Sequence, residues 1–383
     1  MTAPAIDSPP GPQDRPSRPP DPVAWDVAER IARRVAGRDP LQESYHYSSL
    51  EPDFREFTEL AEKLVEKETG LRSLAGPARA RVTDRQGWVR ANIASFRRLL
   101  RPLTDRLGER LGSTRAAGAG RSIAGAEVGA LLGWMSTRVL GQYDLLVIED
   151  EDADEQDIVY YVGPNILALE KRYAFPPREF RLWLALHEVT HRAQFTGVPW
   201  MRGYFLSLVE QSLDAFDPDP KRFVEALRRA VAEVKAGRNP LDEGGIVSLF
   251  ATPEQTAVFR RIQGLMSLLE GHGDLVMDRA AVDLVPSAGR FKEVLHQRRQ
   301  SSGATRAFQK LVGLEAKLRQ YHDGEQFLEA IEKAGAGNVD LLWRGPENLP
   351  SIDEVRDPGR WLARMGEAAA ADGRAAVEAV TSD

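Results

Sequence analysis

Residues 184 to 195 read LALHEVTHRAQF and place two of the chain's six histidines four residues apart, with a glutamate directly after the first. Apolar residues flank the pair, so the segment reads as a buried helix, running from about Pro177 to Phe195 with proline in its first turn and Gly197 just past its end. Residues four apart on an α-helix differ by about 40° in direction. His187 and His191 therefore share a face, and their imidazoles can converge on one ion at about 2.0–2.1 Å from each nitrogen. Glu188 is turned by about 100° from His187, beside the ion rather than forced into its ligand sphere. A general base must stand there to take a proton from a water that the metal polarises. The competing reading is a pair of hydrogen-bonded core histidines; the helical, apolar setting favours the metal site.

The chain has no cysteine. That excludes disulfides, thiolate zinc sites, iron–sulfur clusters and cysteine nucleophiles, and leaves His, Asp and Glu as possible ligands. The strongest source of a third ligand is LLEGHGDLVMD, residues 268 to 278. Glu270 and Asp274 are four apart and face one way. Glu270 would complete the site, and Asp274 could accept a hydrogen bond from the far nitrogen of a ligand histidine. Gly271 and Gly273 each cost about 1 kcal/mol relative to alanine inside a helix, so their presence beside an acid predicts a close approach by another backbone or by the ligand helix. His272 is the alternative ligand, although it points away from Glu270 on a regular helix.

The most apolar stretch, residues 123 to 142, repeats glycine at 125, 129 and 133. Glu127 and Arg138 interrupt it and its apolar run is too short for a bilayer, so it reads as a helix packed tightly on a neighbour. Residues 23 to 110 carry further helical periodicity, as do the segments from 200 to 237 and from 252 onwards. Thr252, Pro253 and Gln255 form the pattern of a capping box. YDLLVIE and DIVYYVG, on either side of an acidic connector, read as a strand pair from about Tyr143 to Val162. DIVYYVG is the candidate sheet edge for pairing with an extended peptide. The fold class is mainly α (α+β) with a small sheet. The first 22 residues hold eight prolines and no apolar run, which predicts a disordered tail with neither signal peptide nor anchor. With a net charge of −6 and no basic stripe, nucleic-acid binding is not expected, nor is a membrane; the cytoplasm is the expected location.

HEVTH followed far downstream by EGHGD resembles the gluzincin branch of the zincin metallopeptidases, whose third ligand is a glutamate in an E-x-x-x-D helix. The ordered segments GQYD, VGPNI, HEVTHRAQF, LLEGHGDLVMD, LEAKLRQY and LLWRGPENLPSIDE are similar to an actinobacterial family of zinc-dependent hydrolases, some associated with biosynthesis of a deazaflavin coenzyme. The resemblance covers roughly residues 23 to 365. It implies a zincin-like fold, His187 and His191 as Zn²⁺ ligands and Glu188 as base. The expected organisation is a tail (1–22), an N-terminal helical part (23–140), a catalytic part (141–365) and a second tail (366–383). The expected reaction is hydrolysis of a peptide or amide bond. Tyr321, His272, His296, His322 and Arg319 are candidate donors to a developing oxyanion, with Tyr321 favoured. Two rival readings remain. A di-iron carboxylate bundle would use Glu188 with His191 and Glu293 with His296, helped by Glu210 and Glu270, but leaves His187 without a role. A non-catalytic scaffold would keep the shell and bind a partner through the proline-rich tail.

Overall fold

The structure, a computed structural model, describes residues 21–38, 41, 43–101, 115–145, 157–214, 252–280, 282–300, 314–335 and 337–368. The expected helix PKRFVEALRRAVAEVKAG, the acidic connector and most of both tails lie outside the described residues. In chain order the main elements are α1 (Trp25–Ala36), α2 (Leu50–Thr69), β1 (Arg79–Thr83), α3 (Arg85–Leu99), α4 (Arg115–Ser136), β2 (Gly141–Tyr143), β3 (Ile158–Val162), α5 (Gly163–Tyr173), α6 (Pro177–Gly197), α7 (Met201–Asp214), α8 (Pro253–Ala280), α9 (Ala288–Gln300) and α10 (Leu314–Ala334). Two compact units divide them: residues 1–37 with 89–134, and residues 38–88 with 135–383.

In the first unit α1 buries Ala28, Ala32 and Ala36. The glycine stripe of α4 meets it: a Cβ at Gly125, Gly129 or Gly133 would collide with the carbonyl of Ala24, Ala28 or Ala32. Tight helix packing thus accounts for the stripe. Among the described residues no helix is long and apolar enough to cross a membrane.

The second unit carries a three-stranded sheet in the order β1-β3-β2. β3 runs parallel to β1, with Arg79 opposite Ile158 and Thr83 opposite Val162, and antiparallel to β2, with Gly141 opposite Tyr161. β3 falls within DIVYYVG as expected, but its partner β2 overlaps YDLLVIE only at Tyr143, residues 146–149 lie outside the described residues, and DIVYYVG is the central strand and not the edge. All five residues of β3 are buried, as a strand covered on both faces requires; a half-wet edge would alternate. The strand missing from the sequence reading is β1, RARVT, whose arginines hide its pattern. Its outer edge is partly occupied, because the Val82 N–H donates to the Glu51 carboxylate at 3.0 Å. β2 forms the other edge, and it packs on α6.

Helix α6 is buried along most of its length, including two arginines. Arg181 donates to both carboxylate oxygens of Glu170 at 2.8 Å and to Asp53 at 2.5 Å. Arg192, 1% exposed, donates to Asp157 at 2.6 Å, to Glu62 at 2.7 Å and to the Gly76 carbonyl at 2.7 Å. Multiple charge-assisted bonds make burial of these charges tolerable and tie α6 to α2 near both of its ends. Helix α8 opens with the expected capping box: Thr252 N–H donates to Gln255 Oε1 at 2.6 Å, and Gln255 N–H to Thr252 Oγ1 at 3.2 Å.

Further along, α8 crosses α10 at Gly271 and Gly324. A Cβ on Gly271 would fall on the Gly324–Glu325 peptide, and one on Gly324 on the Ser267 carbonyl. The close approach anticipated from Gly271 is therefore made by the backbone of α10. Gly271→Ala should lower unfolding stability by about 1–3 kcal/mol or more through overpacking. Gly203→Ala, where a Cβ meets nothing within 4 Å, should leave stability unchanged or raise it by up to about 1 kcal/mol. Denaturant unfolding of the two variants compares them directly.

Candidate metal centre

His187 and His191 lie one turn apart on α6, and Glu270 reaches them from α8. The two Nε2 atoms are 3.2 Å apart; Glu270 Oε2 stands 3.6 Å from His191 Nε2 and 3.9 Å from His187 Nε2. Among the described residues they form the one cluster of histidine and acid side chains able to hold a metal ion. A tetrahedral ion with bonds of 2.0–2.1 Å needs donors about 3.3–3.4 Å apart, so the set fits zinc in both kind and spacing. The side chains of His187, His191 and Glu270 are 24%, 16% and 15% exposed, which leaves one side of the cluster open to water. Gly273 lies against both imidazoles, with an ideal Cβ 3.5 Å from His191 Cε1 and 3.6 Å from His187 Nδ1.

Glu188 lies beside this trio and is nearly buried. Loss of solvent pushes its carboxyl up to about 7; Glu270 adds to the rise, while His191 and the Tyr143 N–H oppose it. Burial works against a charge on His191, but the hydrogen bond and negative charge of Glu270, with Glu188 beyond, raise it to about 9. The centre thus favours positive charge at the point where a cation would sit.

Strand β2 supplies the other wall. Val162 N–H donates to the Leu140 carbonyl and Asp144 N–H to the Ile158 carbonyl, so the main-chain groups of Gly141 and Tyr143 alternate away from β3. The Tyr143 N–H bonds the Glu188 carboxylate. A Cβ on Gly141 would lie 2.6–2.8 Å from Oε1, Cγ and Cδ of Glu188. Only a bare backbone lets the strand lie so close to the carboxylate.

The outer nitrogen of His191 is held by Gln194, with Nδ1 and Oε1 2.9 Å apart. That acceptor role had been expected of Asp274, which is half-buried one turn beyond Glu270. Gln194 was missed because it is one polar residue within an apolar flank, and its i+3 spacing from His191 was the only local signal. His272 is neither ligand nor substrate donor. It is buried, its Nδ1 lies 2.9 Å from Gln194 Nε2, its ring meets Trp343 edge-on at 5.0 Å, and burial holds it neutral, down to about 3.

Glu293 and His296 are exposed on α9 and Glu210 is exposed on α7. None of them joins the cluster, so the second Glu-x-x-His pair required by the di-iron reading is absent from it. Arg319, Tyr321 and His322 belong to α10, and their side chains lie outside the described residues.

The sequence pattern of the zincin-like metallopeptidases matches residues 23–362. The chain belongs to this family. The crystal structure of "a putative hydrolase with a novel fold" from Chloroflexus aurantiacus is 32% identical, with a TM-score of 0.67 over 90% of this chain and 99% of that one. Among curated proteins none matches. Family and neighbour together support a zinc hydrolase for this zincin-like chain.

Purified protein should bind one zinc per chain by elemental analysis. His187→Ala and Glu270→Ala should lose it, whereas Gly141→Ala, whose nearest new contact is Glu188, should retain it.

Proposed function

We propose that the protein is a zinc-dependent hydrolase that cleaves a peptide or amide bond, with His187, His191 and Glu270 holding Zn²⁺ and Glu188 as general base. The observation that carries this reading is the placement of Glu188: a nearly buried carboxylate, raised to about 7, beside a His–His–Glu trio and clasped by an edge strand. Zinc, when bound, lowers the pKa of water to about 7 and polarises a carbonyl.

The chain's own residues do the rest. Glu188 takes the proton from the attacking water and returns it to the leaving nitrogen, a task suited to a carboxyl that titrates near neutral pH. The Tyr143 N–H and the bare Gly141 backbone hold that carboxylate in place. Of the outward main-chain groups of β2, the Tyr143 N–H is taken by Glu188, and the others are those that an extended substrate along the open side of the trio pairs with in this reading. Asp274 lies one turn from Glu270 on the same face of α8. The segments that resemble the deazaflavin-associated hydrolases support a substrate connected with that coenzyme's formation, which coenzyme content in cells lacking the protein would check.

Glu188→Gln should keep its zinc yet lose about 10²–10⁴-fold in hydrolysis of a responsive peptide or amide. Asp274→Asn should be milder, about 10–100-fold in zinc affinity or activity. A Glu188→Gln protein that loses zinc while Glu270→Ala retains it would make Glu188 the ligand and overturn the assignment.

A further inference from the structure

Gln194 is fully buried on α6. Its Oε1 lies 2.9 Å from His191 Nδ1, and its Nε2 lies 2.9 Å from both the Leu269 carbonyl and His272 Nδ1. A carbonyl oxygen only accepts, so the group facing Leu269 must be the amide nitrogen. That places the amide oxygen, which also only accepts, against His191 Nδ1. His191 must then carry its proton on Nδ1 and present the Nε2 lone pair to the cluster. The second amide hydrogen goes to His272 Nδ1, which must be bare, so His272 carries its proton on Nε2. Both hydrogens of one buried amide and one acceptor site of its oxygen are thereby assigned.

Leu269 directly precedes Glu270. The amide that selects the His191 tautomer therefore also ties the ligand helix α6 to α8 at the residue before the third ligand. We propose that Gln194 is a positioning residue that locks His191 in its metal-binding tautomer, with the Leu269 carbonyl and His272 fixing the direction of the amide. This rests on the zinc-site reading above and names residues that it does not use.

Two measurements test it. Zinc affinity by chelator competition should fall about 10–100-fold in Gln194→Leu, which removes the acceptor, as expected for loss of an outer partner of a ligand histidine. Gln194→Glu, which keeps an acceptor for Nδ1–H but gives up the amide bonds to Leu269 and His272, should bind zinc more tightly than Gln194→Leu. A role confined to packing would instead weaken folding in both variants without separating their zinc affinities. Equal affinity in Gln194→Leu and the unaltered protein overturns the proposal. Should a variant fail to fold, imidazole ¹⁵N NMR of the unaltered zinc-loaded protein gives the answer alone. The expected result is His191 protonated at Nδ1 and ligated at Nε2, with His272 protonated at Nε2; His191 ligated through Nδ1, or His272 protonated at Nδ1, overturns it. If the unaltered protein binds no zinc, both this proposal and the zinc-site reading fall, whereas unchanged affinity in Gln194→Leu sinks this proposal alone.

Discussion

Two helices far apart in sequence bring three side chains able to ligate a metal within 4 Å of one another, and the packing of the second unit makes that approach possible. Helix α6 supplies two donors by its own geometry, because a four-residue step keeps His187 and His191 on one face. The third depends on tertiary packing. Helix α8 must lie against α6 closely enough for Glu270 to reach both imidazoles, and it does so where Gly273 puts no side chain between helix and rings. The contact of α8 with α10 at Gly271 and Gly324 backs it from another side.

Buried charge joins the apolar core in holding α6. Arg181 and Arg192 form multidentate bonds with acids on α2, on α5 and at the start of β3. Removing one partner would leave a charge desolvated, at a cost of several kcal/mol, so a seating of the helix that separates these pairs is disfavoured. Asp157 serves twice, accepting from Arg192 and from the Tyr143 hydroxyl. The anchor of the metal helix is thereby joined to the strand that clasps Glu188.

Local chemistry was legible in the sequence and distant chemistry was not. His187, Glu188 and His191 follow from spacing on one helix turn. Glu270 follows from a carboxylate paired at i+4 with Asp274 among glycines that only a close neighbour explains. The capping box and the α4 stripe are equally local. β1 escaped notice because Arg79 and Arg81 leave only Ala80 and Val82 as apolar signal, so the sheet looked like a hairpin with β3 at its edge. Five consecutive apolar residues, IVYYV, in fact carried the mark of a central strand. Gln194 was hidden for another reason: its partners Leu269 and His272 are 75 and 78 residues away, and only the packing of α8 on α6 brings them to it.

The central claim is a single three-residue metal centre with Glu188 outside it. X-ray absorption at the zinc edge of the loaded protein tests this most directly. Four light-atom neighbours at about 2.0–2.1 Å, two of them with the outer-shell scattering of imidazole, are the expected result. A metal–metal vector, or only one imidazole in the coordination shell, would contradict it.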